Sequence, residues 1–150
     1  MTLDNFINEN IDLIDQNRWE ELYKKLFFNQ ISKAGKLTDM LLATGIDPLS
    51  DKDLRSVPIC YLKNSNLEEL IIPEHINTIR YGAFYRSNLS KVILPKSITK
   101  IEQNAFMTLG VDCDIIYNGT VEEFDKIEIE YPGQFGGNKV NCSDGIWEFN

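Results

Sequence analysis

A phrase of 22 residues that occurs twice in succession constrains the fold of this chain more than any other feature. The first copy begins at residue 67 and reads LEELIIPEHINTIRYGAFYRSN, and the second begins at residue 89 and reads LSKVILPKSITKIEQNAFMTLG. The apolar positions, the proline and the Ala-Phe pair coincide when one copy is laid on the other. Self-similarity at such a period is typical of a solenoid, in which each coil packs on its neighbours.

Each copy has the internal order expected of one coil. Leu70 and Ile72 are two positions apart, which predicts that both lie on the inward face of a short strand. Pro73 lacks the N–H that a sheet ladder needs, so the strand is predicted to end there. Ile79 then packs inward, and the Gly-Ala-Phe segment at 82–84 predicts a tight turn whose aromatic ring fills the space between coils.

Shorter, divergent units flank the two full copies. VPICYLKNSN, residues 57–66, aligns Val57 with Ile79 and is interpreted as a half-repeat. After the second copy, a further shift of 22 would bury the carboxylate of Asp114 without a partner, which costs several kcal/mol. A shift of 23 instead turns Ile115 and Tyr117 inward, and we predict that register.

Residues 1–56 have a helical pattern. Thr2 or Asp4 is predicted to cap a first helix, and Asn17 a second helix. A third helix is predicted from Lys36 to Thr44, ending at Gly45. The buried stripe of the second helix is predicted to consist of Trp19, Leu22, Tyr23, Leu26 and Phe27. Further along, a Thr-x-x-Glu capping box at residues 120–123 predicts a short helix, followed by a loop and two strands.

Composition limits the classes of function. The net charge is −8, and residues 111–150 carry nine acidic and two basic side chains, so direct nucleic-acid binding by that end is disfavoured. Three cysteines without close spacing and a single histidine argue against a disulfide framework or a zinc site. The acidic N-terminal segment does not have the pattern of a signal peptide, and no apolar run is long enough to span a bilayer. These features predict a cytoplasmic protein with no membrane contact.

The repeated order of strand, proline, Ile-x-x-Ile and Ala-Phe closely resembles the BspA-like class of leucine-rich repeats, over about residues 57–117. The later segments IIYNGTVEEFDKI and VNCSDG are similar to the terminal segment of such proteins, with Phe124 where a tryptophan is typical. The resemblance implies a function in protein binding. Short, helix-capped members of this kind look like products of phages or other mobile elements.

The expected fold class is therefore α+β. A helical N-terminal cap or subdomain (1–56) precedes a short leucine-rich-repeat solenoid with a helix-plus-strand C-terminal cap (57–150, the cap at 117–150). Two full coils are fewer than the about three that a solenoid normally needs, so the parts are expected to fold as one cooperative unit.

The first functional hypothesis is a non-enzymatic protein-interaction module that binds and modulates a host or partner protein. Strand residues that point away from the core are predicted to stack in two columns, one charged and one of isoleucines. The predicted partner-binding residues are Glu69, Ile71, Lys91, Ile93, Asp114 and Ile116. No catalytic residues, metal ligands or cofactors are predicted, because the lone His75 has no nucleophile placed beside it and no glycine-rich phosphate loop is present.

Two alternatives remain open at this stage. The acidic end would imitate nucleic acid and block a basic groove on a nucleic-acid-binding protein, such as a host defence enzyme. That patch consists of Asp112, Glu122, Glu123, Asp125, Glu128 and Glu130. The other alternative is a homodimer, formed when the last strand, Ile146 to Phe149, pairs by its open edge with a second copy.

Overall fold

The computed structural model describes residues 2–29, 32–107, 109 and 112–149. Most of its helical residues precede its strands. The α-helices are α1 (Leu3–Glu9), α2 (Ile11–Asp15), α3 (Trp19–Phe28), α4 (Ala34–Ala43) and α5 (Val121–Asp125). Two short 3-10 turns span Pro48–Ser50 and Pro132–Phe135. The mixture of helix and sheet agrees with the predicted α+β class.

Two sheets run side by side through the repeats, and each repeat contributes one strand to each of them. The strands are β1 (Ser56–Val57), β2 (Glu69–Ile71), β3 (Thr78–Ile79), β4 (Lys91–Leu94), β5 (Lys100–Ile101), β6 (Asp114–Tyr117), β7 (Glu128–Ile129), β8 (Val140–Cys142) and β9 (Gly145–Trp147). The four-stranded sheet has the order β1-β3-β5-β7 and is parallel. The five-stranded sheet has the order β2-β4-β6-β8-β9, with only β9 antiparallel to its neighbour.

The register of the strands confirms both predicted shifts. Between the two full copies, Leu70 pairs with Val92, a separation of 22 residues. Between the second copy and the next unit, Val92 pairs with Ile115, a separation of 23. Because this separation is one residue longer, Ile115 is fully buried and Asp114 is exposed. The chain thereby avoids the cost of burying a carboxylate without a partner. The half-repeat is also confirmed, because Val57 pairs with Ile79.

A single hydrophobic cluster runs from Phe6 in α1 to Trp147 in β9. Its centre is a row of aromatic rings from successive repeats. The ring centroids of Phe84 and Phe106 are 5.2 Å apart, and those of Phe106 and Phe135 are 4.8 Å apart. The Ala-Phe pair of each repeat therefore supplies contacts between repeats, as the sequence predicted.

One turn position adopts the left-handed backbone conformation in three successive units. Cys60, Gly82 and Asn104 follow one another at intervals of 22 residues and have φ angles of 54°, 61° and 62°. A side chain in this conformation costs about 1 kcal/mol more than glycine does. The fold thus fixes the backbone at this position even where the residue is not glycine.

The helical region differs from its predicted details at three points. Thr2 caps α1 as predicted, with its side chain accepting from the amide of Asn5. Asn17, predicted to cap the second helix, instead has a φ of 55° and lies before the actual N-cap residue, Arg18. The first predicted helix is also divided at Asn10, whose buried side chain donates to the carbonyl of Phe6. The third difference is Phe27, which was predicted to be buried and is 39% exposed.

Helix α4 is fastened to the chain just before β2. The hydroxyl of Ser65 donates to Asp39 Oδ1 at 2.6 Å, and the amide of Asn66 donates to Asp39 Oδ2 at 2.9 Å. Gly35 donates its amide to the carbonyl of Lys63, and a Cβ at this glycine would lie only 2.4 Å from that oxygen. Only glycine therefore allows this approach. The last of these contacts is at Asn66, before β2 begins.

Candidate functional site

The outer face of the five-stranded sheet carries the six residues that the sequence predicted for partner binding. Pairing aligns them in two columns that cross β2, β4 and β6. The charged column consists of Glu69, Lys91 and Asp114, and the apolar column consists of Ile71, Ile93 and Ile116. The structure thus brings together all the residues of this group.

Exposure is graded along the apolar column. Ile71, on the edge strand, is 70% exposed, whereas Ile93 and Ile116 are half-buried between neighbouring strands. The inward residues beside them, Val92 and Ile115, are fully buried. Side chains alternate strictly between the two faces of a strand, so a clean separation of this kind follows from the register.

The column continues further than the sequence indicated. Asn141 pairs with Ile116, and Ile146 pairs with Asn141 across the terminal hairpin. Ile146 is 54% exposed, so a second exposed isoleucine lies at the other end of the same sheet. Sequence reasoning missed it because the antiparallel return of β9 does not follow the repeat period.

Charges next to this column alternate in sign. Lys91 lies between Glu69 and Asp114, and it makes no ion pair within the part of the chain that the structure describes. Asp114 accepts a hydrogen bond from Asn141 Nδ2 at 2.8 Å. A shallow depression of about 410 Å³ lies here, lined by Asp114, Ile116, Tyr117, Asn118, Asn141, Cys142 and Ser143. The face therefore presents a flat apolar strip beside a strip of opposite charges.

Three of the six residues of the predicted acidic patch lie on α5, and the other three lie before β6, on β7 and just after β7; most of the six have partners within the chain. Glu123 completes the predicted capping box and lies 3.2 Å from Lys96 Nζ. The backbone N–H of Thr120 and the Lys96 ammonium together lower the pKa of Glu123. Asp125 accepts from the indole of Trp147 at 3.2 Å.

The other four acids of the patch differ in how they are held. Glu130 accepts from the amide of Gln103 at 2.9 Å, and Glu122 lies 3.7 Å from Lys126. Asp112 and Glu128 are exposed and have no ion-pair partner among the residues that the structure describes. The carboxylates are thus distributed over several local contacts.

An exposed aromatic cluster lies where α3 meets the repeats, and the sequence did not indicate it. The ring centroid of Phe27 is 5.5 Å from that of Phe28 and 6.1 Å from that of Tyr81. Phe28 is 74% exposed. Helical periodicity assigned Phe27 to the buried face, and no local signal relates α3 to Tyr81, which lies more than 50 residues away along the chain.

Beside this cluster, an ion-pair network joins α3 to the repeats. Arg80 Nε lies 3.3 Å from Glu20 of α3, and Arg80 Nη1 lies 3.0 Å from Glu102. The hydroxyl of Ser56 also donates to Glu20. The cavity at this junction has a volume of about 270 Å³ and is lined by Glu20, Lys24, Pro58, Ile59, Arg80 and Glu102. Glu20 and Glu102 therefore both pair with Arg80.

Cys60 and Cys113 are buried, whereas Cys142 is half-buried and lines the depression on the outer face. Burial raises the pKa of Cys60, and it raises that of Cys113 to about 11, with a smaller contribution from Asp114. Both thiols are therefore protonated near neutral pH and are weak nucleophiles. Within the described residues, no three histidine, cysteine, aspartate or glutamate side chains are grouped to hold a metal ion. In the same part of the chain, no helix is long and apolar enough to cross a membrane.

Comparison with known proteins identifies the repeat. The family model described as BspA type Leucine rich repeat region (6 copies) matches residues 50–126. No curated protein and no solved structure matches the chain significantly. The matched segment includes both full copies of the phrase, the half-repeat before them and the shifted unit after them. The chain belongs to the family of BspA-type leucine-rich repeat proteins.

Proposed function

We propose that this chain is a non-enzymatic module that binds another protein through the outer face of its five-stranded sheet. The observation that carries the proposal is the register that aligns Ile71, Ile93 and Ile116 in one outward column. Leucine-rich repeat regions generally mediate protein–protein interaction, and stacked repeats form extended binding surfaces.

Burial of the apolar column is the main source of affinity in this proposal. Covering an exposed isoleucine fully contributes about 1.5–3 kcal/mol. Of the three isoleucines, Ile71 has the largest exposed fraction to bury against a partner. The alternating charges of Glu69, Lys91 and Asp114 supply specificity, because a partner with the wrong charge pattern is repelled. Binding then modulates the partner by occupying its surface.

Rigidity of the face depends on the remainder of the chain. In this proposal the repeats form a short solenoid, with residues 1–56 covering one end and residues 117–150 covering the other. The contacts of Asp39 with Ser65 and Asn66 support the first junction, and the hydrogen bond from the amide of Phe106 to Gln134 Oε1 supports the second. A preorganised surface loses little conformational entropy when it binds.

The acidic surface is the weaker candidate for a binding site. Four of its six carboxylates make contacts within the chain. A nucleic-acid mimic needs a regular array of carboxylates that are free to meet basic side chains.

The test is affinity capture from an extract of the native cell, followed by mass spectrometry, with variants of the face. Ile93→Arg and Ile116→Arg place a charge in the column and are expected to remove the specific partner. The matched control is Ile11→Arg, which changes an isoleucine that is 49% exposed on α2. If both column variants retain every partner that the unchanged chain captures, the sheet face is not the binding surface.

A further inference from the structure

The five-stranded sheet has an open edge at β2, which is a second kind of binding surface next to the outer face. β2 is the first strand in the sheet order and, among the residues that the structure describes, pairs only with β4. The contacts that fasten α4 end at Asn66, three residues before the strand begins. Glu69 and Ile71 are both exposed. An exposed strand edge carries backbone groups that can pair with another chain.

Hydrogen bonding determines which backbone groups face outward. The amide of Lys91 donates to the carbonyl of Glu68, and the amide of Ile72 donates to the carbonyl of Ile93. Alternate residues of a strand direct their backbone groups to the same side, so Glu68, Leu70 and Ile72 face β4. The N–H and C=O groups of Glu69 and Ile71 consequently point away from the sheet. Neither residue has a backbone partner on that side among the residues that the structure describes.

The columns of the outer face indicate what an added strand would carry. Across β2, β4 and β6, the charged column alternates from Glu69 to Lys91 to Asp114, and the apolar column consists of isoleucines. A strand beside β2 therefore meets a carboxylate at one position and an isoleucine two positions further on. Opposite charges and β-branched pairs across strands each contribute favourably, whereas like charges directly opposite are destabilising.

We propose that the β2 edge binds an extended segment of a partner protein that carries a basic residue opposite Glu69 and a β-branched apolar residue opposite Ile71. This inference rests on the proposed protein-binding function and specifies the partner's chemistry. The segment adds a sixth strand to the sheet, and its backbone pairs with the outward N–H and C=O groups of Glu69 and Ile71.

A second copy of this chain is a poorer occupant of the edge. The exposed strand at the other end of the sheet, β9, is flanked by Asp144 and Glu148. Residues 143–149 include no basic side chain, so this strand of another molecule offers no partner for Glu69. The chain also carries a net charge of −8, which opposes self-association through an acidic edge.

The experiment uses the full chain and synthetic labelled peptides. The probe peptide is acetyl-Thr-Thr-Lys-Thr-Ile-Thr-Thr-amide, tested together with its reversed order, because the added strand can run in either direction. The matched peptide carries glutamate in place of lysine. Fluorescence anisotropy measures the dissociation constant, and amide hydrogen exchange reports protection at residues 69 and 71. We expect one lysine peptide to bind about three- to tenfold more tightly than its glutamate counterpart and to protect both amides.

Two variants of the protein test the edge directly. Ile71→Pro removes an outward N–H without removing a hydrogen bond to β4, and we expect at least about a tenfold loss of peptide affinity. Ile146→Pro, at the opposite edge of the same sheet, is the control and keeps the affinity. Glu69→Lys changes only an exposed side chain, so it retains the fold and should reverse the preference toward the glutamate peptide.

Several outcomes would overturn the proposal. These are equal binding of the lysine and glutamate peptides, unchanged binding by Ile71→Pro, and a homodimer abolished by Ile71→Pro without peptide binding. Ile116→Arg separates this proposal from the function proposed for the sheet face. If Ile116→Arg loses the captured partner while no peptide protects residues 69 and 71, the face binds and the edge does not.

Discussion

The two sheets arise from the same repeats, yet their outer sides differ. Beside the four-stranded sheet, Glu102 accepts from the amide of Tyr81 at 2.9 Å, and Glu130 accepts from the amide of Gln103 at 2.9 Å. Each carboxylate thereby holds the turn of the preceding repeat. On the five-stranded sheet, the corresponding outer side carries isoleucines and an alternating charge column. One side uses its polar groups within the chain, and the other has side chains available to a partner.

Under the proposed function, this difference separates the contacts that stabilise the repeats from the side chains that bind a partner. Polar contacts on one side fix the spacing of the repeats, so the opposite side tolerates residues that add little to stability. The following predictions test this division, in order of decreasing effect on the free energy of unfolding.

Both sheets pack on the same hydrophobic core, so a substitution that disrupts the core should destabilise both of them. Phe106 is 1% exposed and contacts the rings of Phe84 and Phe135. We expect Phe106→Ala to lower the free energy of unfolding by about 3–5 kcal/mol in urea denaturation. The control is Phe28→Ala, which truncates a ring that is 74% exposed and should change stability by less than about 0.5 kcal/mol.

Removing a charged side chain beside the four-stranded sheet should lower the free energy of unfolding more than removing one from the outer face of the five-stranded sheet. Glu102→Ala removes the acceptor for Tyr81 N and the ion pair with Arg80, and should cost about 1–2 kcal/mol. Lys91→Ala, in the charged column of the other sheet, should cost less than about 0.5 kcal/mol. Equal losses in the two variants, measured by urea denaturation, would contradict the proposed division.

Alkaline pH should weaken the fold through its buried thiols. Burial raises the pKa of Cys113 to about 11, above the ordinary value of 9.0, so the unfolded chain releases this proton first as the pH rises. Stability contributed by the protonated thiol is complete below pH 9 and is lost between pH 9 and 11. The slope of the unfolding free energy in this window should decrease in Cys113→Ser.

Cys60→Ser provides the matched comparison, since Cys60 follows β1 of the four-stranded sheet and burial raises its pKa as well. We expect the smaller change of slope in this variant. If neither variant changes the slope of the unfolding free energy with pH, the alkaline loss of stability comes from other groups. Tyr23 is one such group, because burial raises its pKa as well.

The smallest effect on stability is expected at the exposed end of the apolar column. Ile71→Lys should change the free energy of unfolding by less than about 0.5 kcal/mol, because the side chain is 70% exposed. The adjacent Ile72 is 2% exposed, and Ile72→Ala should cost about 2–4 kcal/mol. The same Ile71→Lys variant should lose partner capture. Retention of the partner would show that Ile71 adds nothing to binding.

Much of the repeat region was predictable because its period determines which residues face inward. The shift of 23 followed from the position of Asp114 alone, and the pairing of Val92 with Ile115 confirms it. Thr120 and Glu123 specify a helix start through local hydrogen bonds, and that capping box is present. In these cases the sequence signal lies within a few residues or in an exact repetition.

The remaining features depend on contacts between distant segments. The exposure of Phe27 and its contact with Tyr81 depend on how α3 docks against the repeats. Ile146 joins the apolar column only because a two-residue turn returns β9 along β8. Asn17 has the side chain of a helix cap, yet the chain needs a left-handed residue at that point before α3 can begin. Local pattern does not specify these choices.

The left-handed positions at Cys60, Gly82 and Asn104 have a consequence for how such a chain can grow. Because equivalent backbone angles recur every 22 residues, the segment 67–88 enters and leaves its repeat in matching conformations. An in-frame tandem duplication of this segment would lengthen both sheets by one strand and preserve every junction at the two ends. Such a duplication would therefore extend both sheets without requiring a new turn conformation.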